Sequence, residues 1–380
     1  MIVLVTILGI ASILFVLVDA FESVVLPRRV TRRFRLARLF YRTTWRFWRA
    51  TGRQIEARKK RETFLSFFGP LSILLLLGLW AAGLIFGFAL LHLAVAWINP
   101  QSAAQESFLT NLYFSGSTFF TLGLGDITPH TTIGRLLTVL EAGTGFGFLA
   151  AVIGYLPVLY QAFSRREVAI VLLDARAGSP PTAAELLRRH AGDQGLVVLQ
   201  ELLADWEHWS ADVLESHISY PLLAYYRSQH DNQSWVAALV CILDASALAV
   251  AGIEGACARQ ARLTFAIARH TVVDLAQVFS VPPRGPEFDR LPPADLERLR
   301  ASLAAAGLNL HADQAADLKL TQLRAMYEPY IASLANHLFV TLPPWIMAQE
   351  VVDNWRTSAW GKIAGFTPSQ PQRADDHSDE

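Results

Sequence analysis

Three long apolar stretches constrain this chain more than any other feature. Residues 2–20 are almost uninterrupted Ile, Leu, Val and Phe, and residues 71–98 and 136–160 are nearly as apolar. At about 1.5 Å rise per residue, each comes close to or exceeds the roughly 30 Å of a bilayer core. A backbone in hydrocarbon must satisfy its own N–H and C=O groups, so each stretch is expected to be a membrane helix. The fold class that follows is mainly α, with three spans per subunit and helices outside them. Hydrophobic residues make up 52% of the chain, enough for a membrane part beside a soluble one. The first stretch has no basic segment before it and no small-residue cleavage site after it, so it reads as a retained span.

The formal net charge of zero conceals an asymmetry. Residues 28–61 hold fourteen Arg and Lys and the single acid Glu56, which leaves the remainder thirteen charges negative. Lys and Arg near span ends mark the cytoplasmic side, so residues 1–27 form a first span with the N-terminus outside. Residues 101–134 contain no Lys or Arg, which suits an external segment, and Arg165-Arg166 close the third span inside. The C-terminus is then cytoplasmic. The only cysteines, Cys241 and Cys257, fall in that cytoplasmic part, and no disulfide framework is implied.

Within residues 28–68, Arg28, Arg32, Arg35, Arg38, Arg42, Arg46, Arg49 and Arg53 recur every three or four positions, on or near one helical face. Phe34, Leu36, Leu39, Phe40, Phe47 and Trp48 fall between them. This pattern predicts an amphipathic helix on the inner leaflet, its arginines on anionic lipid headgroups. A voltage sensor also carries Arg at helical spacing, but its charges need acids on surrounding helices, and the preceding span offers Asp19 and Glu22 alone. A third reading docks part of the stretch on the cytosolic domain.

Between the second and third spans, residues 107–120 read as an apolar helix too short to cross. Thr121-Leu122-Gly123-Leu124-Gly125-Asp126 follows at once. Irregular backbone at membrane depth survives only against protein or a water-filled cavity, so helix and loop are expected to be re-entrant. Aiming successive carbonyls at one axis alternates ordinary and left-handed backbone, which places glycine at Gly123 and Gly125.

This run resembles the selectivity filter of potassium channels, whose Thr-Val-Gly-Tyr-Gly loops replace the hydration shell of K⁺ with carbonyl oxygens. Residues 69–163, as span, pore loop and span, resemble their pore module. Pro129, Gly134 and Arg135 follow Asp126 at the intervals of simple prokaryotic channels, and Gly145 falls where their inner-helix hinge glycine lies. The resemblance implies a homotetramer in a bacterial inner membrane. K⁺ would be held by Thr121, Leu122, Gly123 and Leu124, with Asp126 at the outer mouth. Leu124 stands where the family usually has Tyr, whose hydroxyl ties the filter to pore-helix aromatics, here Tyr113 and Phe114. Two-pore-domain potassium channels tolerate such a replacement, so K⁺ selectivity is expected to survive it.

Further residues carry expectations of their own. Pro157 should kink the inner end of the third span. Glu141, an acid inside that span, serves either as a hydrogen-bond partner for a neighbouring span or as a gating or cavity charge. His92, near the outer end of the second span, is expected at the interface. No nucleophile, base and oxyanion grouping is visible, so the chain is not expected to be an enzyme, and K⁺ is a permeant ion rather than a cofactor. A weakly selective cation channel, or a non-conducting membrane-tethered sensor or scaffold, are the alternatives.

Residues 164–366 form an acidic, helical cytosolic domain, with eighteen basic and twenty-six acidic residues from Ser164 onward. Residues 167–174 suggest one short strand. Thr182-x-x-Glu185 resembles a capping box, and Pro-rich segments at 281–293 suggest a break between two helical groups, 182–279 and 294–364. Residues 235–256 are apolar enough for a span, but Asp244 and Glu254 favour a buried helix. No Gly-x-Gly-x-x-Gly follows a strand, so no nucleotide site of that type is expected. Glu201, Asp205, His208 and Asp212 share a face, as do His270 and Asp274, and such faces can hold a metal but usually meet solvent. The domain assembles or regulates the pore, with room for an unknown cytosolic ligand and no nucleic acid. Residues 367–380 read as a disordered acidic tail.

Overall fold

The computed structural model describes residues 1–26, 35–98, 107–229, 232–285, 287–348 and 353. Arg28, Arg32 and the tail at 367–380 lie outside them. Among the described residues all long elements are helices: α1 (Ile2–Ala20), α2 (Leu36–Arg53), α3 (Arg58–Ser66), α4 (Phe68–Ile98), α5 (Phe108–Phe119), α6 (Thr132–Ala177), α7 (Ala183–Arg189), α8 (Asp193–Ser219), α9 (Trp235–Gly252), α10 (Gly255–Val278), α11 (Pro293–Ala305) and α12 (Gln314–Leu338). Four segments are long and apolar enough to cross a membrane: α1, α4, α6 and α9 with their continuations.

Small residues let α1 lie close along α4, as membrane helices require where lipid gives no hydrophobic drive. A Cβ on Gly87 would stand 2.6 Å from the Ile13 side chain, and Ser12 Oγ donates to the Gly83 carbonyl at 3.0 Å. Asp19 is fully buried. Its carboxylate accepts the N–H groups of Leu36 at 2.8 Å and Ala37 at 3.0 Å and the indole N–H of Trp80 at 2.9 Å. It therefore satisfies the open donors at the start of α2 and pins α1, α2 and α4 together.

The basic stretch forms two helices rather than one. Arg38, Arg42, Arg46 and Arg53 on α2 are exposed. The adjoining side is docked on the C-terminal helical domain: Trp45 is buried, and its indole N–H donates to the His337 carbonyl at 2.8 Å. Arg49 donates to Asn336 at 2.6 Å, and the guanidinium groups of Arg49, Arg53 and Arg61 gather on the Phe339 ring. Arg35 turns back to Ser23 and Glu22, so this acid serves a local contact.

The inner helix α6 is 46 residues long, about 70 Å, more than twice the bilayer core. Residues 167–174 are part of it, so the expected strand is absent. The reason is periodicity: Arg166, Ile170, Leu173 and Ala177 recur at helical spacing and are buried against the cytosolic helices. The helix also runs unbroken through Pro157.

In the C-terminal helical domain α9 is the central element, buried from Trp235 through Val250. It is therefore a core helix, and its one acid is paired: Arg290 binds Asp244 at 2.5 Å, and Tyr327 donates to the same carboxylate at 2.5 Å. The break at 281–293 does not divide the domain, because α11 and α12 pack into the same core as α9 and α10. Among the described residues the last helix ends at Leu338, where Phe339 turns into the left-handed region (φ 57°); residues 349–352 and 354–364 of the helical group expected to 364 lie outside them. Thr182 caps α7 as expected, accepting the Glu185 N–H at 3.3 Å. Asp212 faces Arg165 and His270 faces Asp274. Among the described residues no three His, Cys, Asp or Glu come together as a metal set.

Candidate ion-conduction site

The pore helix α5 starts where Ser107 accepts the Thr110 N–H at 3.2 Å and ends at Phe119. Its last turn tightens into the loop: Phe120 N–H donates to Gly116 at 3.1 Å, Thr121 to Thr118 at 3.0 Å and Leu122 to Ser117 at 2.8 Å. The loop thus springs from the negative end of the helix dipole, the end that favours a cation.

Beyond it the backbone alternates. Thr121, Gly123 and Gly125 have φ values of 57°, 61° and 78°, and Leu122 and Leu124 between them are outside the left-handed region. The glycines take this conformation without a Cβ penalty, but Thr121 bears a cost of about 1–2 kcal/mol. The expectation named the two glycines; the period of two places Thr121 in the same register. Within one chain all six residues from Thr121 to Asp126 are exposed, with Leu122 at 63% and Leu124 at 61%.

The tie that Leu124 lacks is made two residues further on. Tyr113 donates its hydroxyl to Asp126 at 3.0 Å, joining the outer end of the loop to the pore helix. Behind the helix lies a second tie. Glu141 on α6 is fully buried and accepts from Ser115 Oγ on α5, and its other oxygen meets His92 Nε2 on α4 at 2.9 Å. Ser115 Oγ also approaches the Ile85 carbonyl at 2.8 Å, and the His92 ring stands edge-on to Phe114. His92 is therefore buried among protein groups rather than placed at the interface. The change has a physical basis: an intramembrane acid needs a partner, and His92 is within reach on the adjacent span. A cavity of about 40 Å³ lies beside His92, Asn111 and His130, next to the outer end of the loop.

At Gly145, α6 lies against the end of α5. A Cβ there would sit far inside the van der Waals radius of the Phe119 carbonyl oxygen. This contact accounts for the glycine by packing, one of two reasons a glycine occurs in such a helix. Gly143, Gly147 and Gly154 on the same helix face open space.

A short helix, an alternating loop at its C-terminus and a long apolar helix on either side follow the order of an ion-channel pore domain. Residues 74–161, from within α4 to within α6, match the family model described as "Ion channel". The chain is also similar to the "Uncharacterized membrane protein YdjJ" of Bacillus subtilis (strain 168). The two are 28% identical over 184 residues, 47% of this chain and 52% of that protein, so the chain spans about half the length of the curated relative it matches. No solved structure matches.

Proposed function

We propose that the chain is a potassium-selective channel, conducting passively through a homotetrameric pore in a bacterial inner membrane, N-terminus outside and C-terminus cytoplasmic. The observation that carries this reading is the alternation at Thr121, Gly123 and Gly125 at the C-terminal end of α5. Four such loops about one axis offer stacked rings of carbonyl oxygens from Thr121, Leu122, Gly123 and Leu124, which repay the dehydration of K⁺. Only one loop occurs per chain, so a closed ring needs four copies. Asp126 concentrates cations at the outer mouth. The exposed arginines of α2 contact anionic lipid, and the cytosolic helices carry assembly and gating.

Rb⁺ uptake into proteoliposomes tests the reading. Uptake should be blocked by Ba²⁺ and abolished by Gly123→Asp, which places a side chain where φ is positive. Persistent, Ba²⁺-insensitive uptake in that variant would refute a filter at these residues. Leu124 favours one rival, a weakly selective cation channel. A reversal potential near zero in opposed K⁺ and Na⁺ gradients would select it. Zero flux from a verified tetramer would select the non-conducting scaffold.

A further inference from the structure

We propose that the outer flank of α8 in one chain docks on the outer flank of α10 in the next, head to tail, so that the C-terminal helical domains close a ring. The two helices carry opposite charge. α8 holds six acids and no Lys or Arg, whereas α10 holds three Arg and the single acid Asp274. The arginines gather on α10 although the chain from Ser164 onward has eighteen basic residues against twenty-six acids.

Within one chain the two helices lie side by side and in step. The Thr264 hydroxyl donates to the Leu203 carbonyl at 2.7 Å, and one heptad further along each helix Thr271 donates to Ser210 at 3.0 Å. Glu201 and Asp205 stand two residues either side of Leu203, and Arg262 and Ala266 two either side of Thr264. Two residues turn a helix by about 200°, so these four point away from the α8–α10 contact, acids on one flank and Arg262 on the other. All four are exposed, as is Arg259 beside Arg262. Among the described residues Glu201, Asp205, Arg259 and Arg262 make no hydrogen bond or ion pair. Each flank also presents apolar surface: Val197 is 57% and Val198 48% exposed beside the acids, and Leu263 is 53% exposed beside the arginines.

A patch that fits a different patch on the far flank of an identical chain makes a heterologous contact, which closes into a ring where the rotation allows. Opposite charges set the partner and the register, and the exposed valines and leucine supply burial. In a closed ring every acidic flank meets a basic one. The count of four rests on the pore reading above, whereas the contact of α8 with α10 does not.

The full chain with His208→Cys and Ala266→Cys, exposed positions on the two flanks, is treated in detergent with a flexible bis-maleimide. Head-to-tail docking should give a ladder of dimers, trimers and tetramers on a denaturing gel. Wild type, whose Cys241 and Cys257 are buried, and each single variant should stay monomeric. Glu201→Lys/Asp205→Lys in the double-cysteine chain should lower the yield about ten-fold, and adding Arg259→Glu/Arg262→Glu should restore it. No cross-link in the double-cysteine chain, products confined to dimers, or a yield indifferent to the charge reversals overturns the ring contact. A ladder beyond dimers that ends elsewhere than at four keeps the contact and overturns the four-fold pore.

Discussion

At the residue scale, the loop after α5 depends on groups buried behind it. Glu141 joins α4, α5 and α6 through His92 and Ser115. Glu141→Ala removes one carboxylate from two buried partners, which costs about 3–5 kcal/mol when a buried pair loses one member. The expected outcome is a tetramer with lower thermal stability and a K⁺/Na⁺ reversal potential shifted toward zero, whereas Glu141→Gln, which keeps the shape, shifts it less. Gly145→Ala should fail more sharply. Its methyl group meets the backbone of Phe119, which cannot rotate away, so α5 must move and the loop with it. Near-total loss of Rb⁺ flux, with assembly retained on a sizing column, is the expected result.

At the scale of elements, α2 is held by the end of α12. His337 sits there beside Tyr225 and near Arg49, and burial with that neighbouring guanidinium pushes its pKa down to about 4. A histidine lowered in this way adds stability above its ordinary value of about 6.5, and that stability is lost as pH falls toward 4. Docking of α2 should therefore loosen over that window, read as faster hydrogen exchange around Trp45. His337→Gln should flatten the response. This control is needed because Asp244, pushed up to about 6 by burial, works in the opposite sense and gains as pH drops through 6.

At the scale of the whole molecule, two hydrophobic clusters interlock instead of meeting at a hinge. Leu222 and Leu223 pack with the long apolar helices α1, α4 and α6, and Ala224 and Tyr225 pack with the C-terminal core. Arg166, buried at the inner end of α6, donates to the Leu223 and Tyr226 carbonyls at 2.8 Å each and fastens the inner helix to this turn. The cytosolic core itself is sealed around a charge. Asp244→Ala leaves Arg290 buried without its carboxylate, and we expect about 3–5 kcal/mol lost from that domain, seen as an earlier unfolding transition by calorimetry of the full chain.

The helix α5, the loop after it and the two long apolar helices that frame it were legible in the chain because each is local: apolar length and a glycine period of two act within a few residues. The burial of α9 was legible for the same reason, from acids inside an apolar run. The sequence did not reveal how far α6 runs, because a cytosolic face buried every third or fourth residue looks like a short strand until its partners are present. Nor did it reveal that His92 meets Glu141 or that Tyr113 ties the outer end of the loop at Asp126. Each of these pairs residues distant in the chain. One sequence records which residues can make a contact, and the packing of whole helices decides which of them do.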